Sequence, residues 1–198
     1  VATDTKTRLI AAGTKLIAEH GLAGASVRDI CAEAEAGRNM IHHYFGSKDG
    51  LYQAILEDFS SEGFAPAIRT VETPAQTLEE LRIKLELFLT ETLEALVARS
   101  LVFRIMTRER EAYLPLKEFR YALIFFLRAA QRSDLIHEDL NVDMIPGHFL
   151  DRLGNQVLYA LTLGEDSNEN IIADPTYRRA WLKANTQLLL FGIAVKAH

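Results

Sequence analysis

Apolar residues recur at steps of three and four along this chain, and no stretch alternates apolar with polar side chains. That period fits helices that each bury one face, so the fold class it predicts is all-α. Five prolines and eleven glycines are too few to break 198 residues into short pieces. The spacing predicts helices over about 4–20, 26–34, 38–45, 48–69, 74–98, 100–113, 115–133, 143–163 and 175–196. Gly21 should end the first, and Pro74, Pro115 and Pro175 should each occupy a first turn, where a missing amide costs nothing.

A hydrophobic content of 48% and a charged content of 25% suit a globular chain with a sizeable core. The single cysteine, Cys31, excludes an internal disulfide and any multi-cysteine metal site. It lies on an apolar stripe with Val27, Ile30 and Ala34, which reads as an inert core thiol. The opening residues lack the long apolar core of a signal peptide, and no run reaches the roughly 18 apolar residues that span a bilayer. Together these point to a cytoplasmic protein without a membrane partner. The net charge is -5, yet residues 1–50 carry six basic and six acidic side chains, so the acidity belongs to residues 51–198. The division expected is residues 1–50 as one domain and 51–198 as another.

The stretch "GRNMIHHYFGSKDGL", Gly37 to Leu51, places two histidines and two aromatics on a helix of barely two turns. On a helical wheel Ile41 and Phe45 face inward, while Arg38, Asn39, His42 and His43 point away. A guanidinium, an amide and two imidazoles on one outward face can hydrogen-bond base edges and phosphates. The preceding helix opens on Ser26, with Asp29 three residues on in an approximate capping box. Two short helices so joined have the dimensions of a helix-turn-helix, whose second helix enters a major groove. Ser47 is placed to cap the helix that follows. Ser26 and Lys48, at the starts of flanking helices, suit a DNA phosphate.

The segment "GASVRDICAEAEAGRNMIHHYFGSKDGL" resembles the N-terminal domain of the TetR family of bacterial transcriptional regulators. Ser26, Ile30, Ala34, Phe45, Lys48 and Leu51 stand where the family pattern has them. Glu35 replaces the usual turn glycine, so a side chain must be accommodated at a strained φ. Gly37 replaces a serine cap, and His42 replaces a phosphate-contacting tyrosine. An imidazole there keeps a donor, shortens the reach and makes contact sensitive to pH. The resemblance implies double-stranded operator DNA as a partner, with Arg38, Asn39 and His43 reading bases and Ser26, His42, Tyr44 and Lys48 holding phosphates.

Residues 51–198 then need a separate task. The last two predicted helices carry broad apolar faces, with Phe149, Leu153 and Val157 on one and Trp181, Leu188, Phe191 and Gly192 on the other. Burial against a second copy would make a four-helix homodimer interface, and a two-fold dimer reads a palindrome. The middle is rich in Phe88, Phe103, Met106, Phe125 and Phe126. Core packing explains most of them, and the resemblance adds a cavity for a small, mostly apolar effector whose binding releases the operator. In "FRIMTRERE", one of Arg104, Arg108 and Arg110 would anchor an anionic effector, or together with Glu109 these arginines form ion pairs.

No nucleophile elbow, phosphate loop, dinucleotide fingerprint or zinc-protease motif is present, so no enzymatic activity and no cofactor are expected. His137, Glu138, Asp139, Asp143, His148 and Asp151 read as a solvated loop and helix start, without the fixed spacing of a metal site. The reading is a dimeric transcriptional regulator, a repressor released by an effector. The alternatives are a DNA-binding dimer that senses nothing, and a helical ligand carrier or enzyme in which the histidine-rich helix is incidental.

Overall fold

The computed structural model describes residues 4–109, 116–163, 167 and 169–193, and for 60–62 and 190–193 the backbone only. These residues hold ten α-helices and no β-strand. In chain order they are α1 (Thr5–Gly24), α2 (Val27–Glu33), α3 (Met40–Phe45), α4 (Lys48–Gly63), α5 (Ala65–Val71), α6 (Leu78–Ala98), α7 (Ser100–Glu109), α8 (Lys117–Arg132), α9 (Ile145–Ala160) and α10 (Pro175–Ile193). None of the described helices is long and apolar enough to cross a membrane.

The chain divides into two compact units. The first comprises residues 1–62 together with 99–115, and the second 63–98 together with 116–198. The first therefore extends beyond residue 50 to take in α4, and it collects α7 from later in the sequence.

In the first unit, Leu9, Ile17, Ile30, Ile41, Leu51, Ile55 and Phe59 are almost wholly buried. Burying a side chain of this kind contributes about 1.5–3 kcal/mol. Gly13 brings α1 close to α4, for a β-carbon there would lie 2.9 Å from Leu51 Cδ2. Gly21 ends the regular part of α1 at φ +77°, as its place in the sequence predicts.

In the second unit, Phe64, Phe88 and Phe119 form an aromatic run. The Phe64 and Phe119 ring centroids lie 5.1 Å apart, and those of Phe88 and Phe119, which stack, 4.9 Å apart. Leu81, Leu85, Leu93, Leu96, Leu123 and Leu127 complete the core around them. Thr92, fully buried on α6, donates its hydroxyl to the Phe88 carbonyl at 2.6 Å, so it leaves no unpaired donor in that core.

Besides shifts at the ends of α1 and α9, three helix boundaries differ from the periodic pattern. The helix expected over 48–69 breaks between Gly63 and Ala65, because Pro66 within a continuous helix would remove a backbone bond and clash with the preceding turn. Pro74 precedes α6 instead of starting it. Thr77 makes the cap, its hydroxyl accepting from the Glu80 amide at 3.1 Å. The Gln76 amide and the Lys84 ammonium both bind the Glu80 carboxylate and hold it below its ordinary pKa. The third difference is at α3, which starts at Met40 and not at Arg38. Pro175 opens α10 as expected, while Pro115 lies outside the described residues.

Candidate nucleic-acid interface

Helix α2 begins with the Ser26 cap that the sequence predicts. The Ser26 hydroxyl accepts from the Asp29 amide at 3.1 Å and donates to the Asp29 carboxylate at 2.6 Å. The helix ends in a Schellman turn. The Ala36 amide donates to the Cys31 carbonyl at 2.9 Å and the Glu35 amide to the Ala32 carbonyl at 3.1 Å. Such a turn needs a left-handed residue at its apex, and Glu35 supplies it at φ +49°. The strained side-chain-bearing turn expected from the missing glycine is therefore present. From the other side, the Arg8 guanidinium donates to the Ala34 carbonyl at 3.0 Å, satisfying another group at the end of α2.

A tight turn leads into α3, with Met40 N–H donating to the Gly37 carbonyl at 2.9 Å and His43 N–H to the Asn39 carbonyl at 2.9 Å. Asn39 occupies the cap position without using its side chain there. Ile41 is fully buried and fixes the roll of this short helix. Arg38 and Asn39 just before it, and His42, His43 and Tyr44 on its outer side, are left exposed. The first four of these side chains make no hydrogen bond or ion pair among the described residues. The Tyr44 ring packs edge-on to His43 at 4.9 Å and lies 6.2 Å from Phe45. Six of the seven residues singled out for DNA, Ser26 included, thus lie on or beside the two short helices with exposed side chains.

Lys48 behaves differently. It is half-buried at the start of α4, and its ammonium donates to the Leu22 carbonyl at 2.7 Å and the Ala25 carbonyl at 3.1 Å. Ser47 caps the same helix as expected, accepting from the Gly50 amide at 3.0 Å. Gly50 is required by close approach. A β-carbon there would stand 1.9 Å from the Phe45 carbonyl oxygen.

The family model described as "Bacterial regulatory proteins, tetR family" matches residues 9–55, the stretch from α1 through α3 into α4. Residues 9–55 carry the N-terminal domain of the TetR family. Over 157 residues it is 27% identical to the HTH-type transcriptional regulator UidR of Escherichia coli, covering 76% of this chain and 78% of UidR. Over 53 residues it is 42% identical to the HTH-type transcriptional repressor SCO4008 of Streptomyces coelicolor, 27% of this chain and 28% of that one. The solved structure of the transcriptional regulator FadR from Bacillus subtilis in complex with stearoyl-CoA has the same fold. Its TM-score is 0.72 at 18% identity, covering 93% of this chain and 97% of FadR. Residues 9–55 accordingly hold a helix-turn-helix DNA-binding domain of the kind found in these transcriptional regulators.

Residues 51–198 hold the remaining candidates, and the structure distributes them widely. Phe88 and Phe126 are buried in the core of the second unit, whereas Phe125 is 61% exposed on α8. Phe103 and Met106 are buried on α7, in the first unit. Of the residues expected at a dimer face, Leu153 and Val157 are buried within their own unit, and Leu188 is 60% exposed. Phe149, Leu153, Trp181 and Leu188 line one groove of about 540 Å³ on α9 and α10. Phe191 and Gly192 fall in the last turn of α10, where only the backbone is described. Asp143 is held by Arg128 through bonds of 2.7 and 2.8 Å.

Sequence reasoning missed the tasks of the α7 charges. The Arg104 guanidinium donates to the Ala18 carbonyl at 2.5 Å, and the Glu109 carboxylate accepts from the Leu22 amide at 3.2 Å. A β-carbon on Gly21 would lie 3.3 Å from the Arg108 guanidinium. Arg104 and Glu109 thus serve the backbone at the end of α1. No periodicity in sequence could reveal that, because 86 residues separate Arg104 from its acceptor.

Proposed function

We propose that this regulator binds a palindromic operator as a homodimer, represses from it, and is released by a small, mostly apolar effector. Arg38, Asn39 and His43 read base edges in the major groove. Ser26, through the free amides of the turn it caps, holds phosphates together with His42 and Tyr44. The observation that carries this reading is that Arg38, Asn39, His42 and His43 are exposed, with no side-chain hydrogen bond or ion pair among the described residues, on α3 and the turn before it, where the buried Ile41 fixes the roll of the helix. Side chains so placed are free to hydrogen-bond DNA.

The homodimer is supported by the apolar groove on α9 and α10, where Trp181 and the exposed Leu188 offer surface that a second copy would cover. Repression is supported by the SCO4008 relative, which is named a repressor. An acyl or similarly apolar effector is supported by the stearoyl-CoA bound to a protein of the same fold. The test is selection of genomic fragments by the purified protein at near-physiological salt, followed by release with a panel of long-chain acyl-CoA and aromatic ligands. A shared palindrome that one ligand class displaces is the expected result. Sequence-blind retention contradicts operator binding, and a palindrome that no ligand displaces favours a dimer that senses nothing.

A further inference from the structure

The peptide group on each side of Leu22 is held by a charged residue far away in sequence. Its amide donates to the Glu109 carboxylate of α7 at 3.2 Å, and its carbonyl accepts from the Lys48 ammonium of α4 at 2.7 Å. The same ammonium reaches the Ala25 carbonyl at 3.1 Å, immediately before the Ser26 cap of α2. Carbonyls at the end of a helix are orphaned unless a side chain or the solvent satisfies them, and charged donors make the stronger bonds.

We propose that Lys48 acts in operator binding as a positioning residue, clamping the α1–α2 connection together with Glu109, and not as a phosphate contact. The inference rests on the operator-binding reading and assigns one of its residues a different task. The connection runs only from the Gly21 kink, at φ +77°, to the Ser26 cap. Whatever fixes the Leu22 and Ala25 carbonyls also fixes where α2 starts, and with it the turn that delivers α3. An ammonium has three N–H donors, and two of them are directed at this backbone. Glu109 holds the same residue from its amide side. A carboxylate repels phosphate, so any loss of operator affinity on removing Glu109 reports positioning.

The two roles differ in their salt dependence. Losing a phosphate contact lowers the slope of log affinity against log salt by about 0.9 and weakens binding to every duplex alike. Losing a clamp misplaces the base-reading side chains, so specific binding suffers while non-specific binding and the slope do not. The experiment measures wild type, Lys48→Met and Glu109→Ala by fluorescence anisotropy at several salt concentrations. The probes are the selected operator and a scrambled duplex of equal length, at a temperature where each variant is folded.

Both variants should lose about tenfold or more in operator affinity, as for a mismatched base pair, with scrambled-duplex affinity and salt slope unchanged. Faster exchange of the Asp29 amide, which bonds the Ser26 hydroxyl, should accompany the loss. A slope reduced by about 0.9 in Lys48→Met, with equal loss on both duplexes, would overturn the proposal in favour of a phosphate contact. Wild-type operator affinity in either folded variant would also overturn it. Should Lys48→Met fail to fold, Glu109→Ala alone decides. Wild-type protein that does not distinguish operator from scrambled duplex would remove the operator-binding reading itself.

Discussion

The Ala36 amide donates to the Cys31 carbonyl at 2.9 Å, and the bond closes only because Glu35 between them stands at φ +49°. A left-handed conformation costs an ordinary residue roughly 1–2 kcal/mol relative to glycine. Glu35→Gly should therefore stabilise the DNA-binding unit by about 1 kcal/mol, offset in part by the greater freedom glycine gives the unfolded chain. Denaturant unfolding checks this. A destabilised variant would mean that the Glu35 side chain has a stabilising task of its own.

Gly50 tests the opposite case, in which glycine is needed for space. With a β-carbon 1.9 Å from the Phe45 carbonyl oxygen, α3 and the start of α4 cannot keep their places. Gly50→Ala should cost about 1–3 kcal/mol, the usual penalty of overpacking. Because the displaced atom is backbone at the end of the recognition helix, operator affinity should fall even where the variant is folded. Stability and anisotropy measured on the same sample check both.

His43 is exposed on α3, with its ring edge against Tyr44 and no hydrogen bond among the described residues. His43→Ala should leave stability within about 0.5 kcal/mol, as for other surface substitutions. It should lower operator affinity by about 1–3 kcal/mol while barely changing affinity for a scrambled duplex. Equal loss on both duplexes would show that His43 touches only the DNA backbone.

The proposed dimer places Leu188 against a second copy. Its side chain is 60% exposed, so Leu188→Arg should leave the fold of one chain intact while burying an unpaired charge at the interface. Sedimentation should show dimer for wild type and monomer for the variant. Helical content by circular dichroism should be unchanged. A variant that remains dimeric would move the interface away from the groove on α9 and α10.

Much of the fold was legible because helix periodicity, caps and glycine stops act locally. Ser26, Gly21, Ser47 and Pro175 all do what their neighbours in sequence imply. The outward row on α3 was legible for the same reason, since one buried residue, Ile41, sets its direction. Long-range contacts were not legible. Nothing local says that Lys48 reaches Leu22, that Glu109 reaches the same residue, or that α7 packs with the first unit. Apolar spacing likewise did not separate Leu153 and Val157, buried within their own unit, from Leu188, which is exposed, because a core and an interface share one chemistry.

The most direct test of the central claim is enrichment sequencing of genomic fragments retained by wild-type protein, run beside a variant with Arg38, Asn39 and His43 all changed to alanine. The account predicts one palindrome with half-sites about one helical turn apart, recovered by wild type and absent with the variant. The same palindrome recovered by both proteins would contradict the assignment of base reading to Arg38, Asn39 and His43.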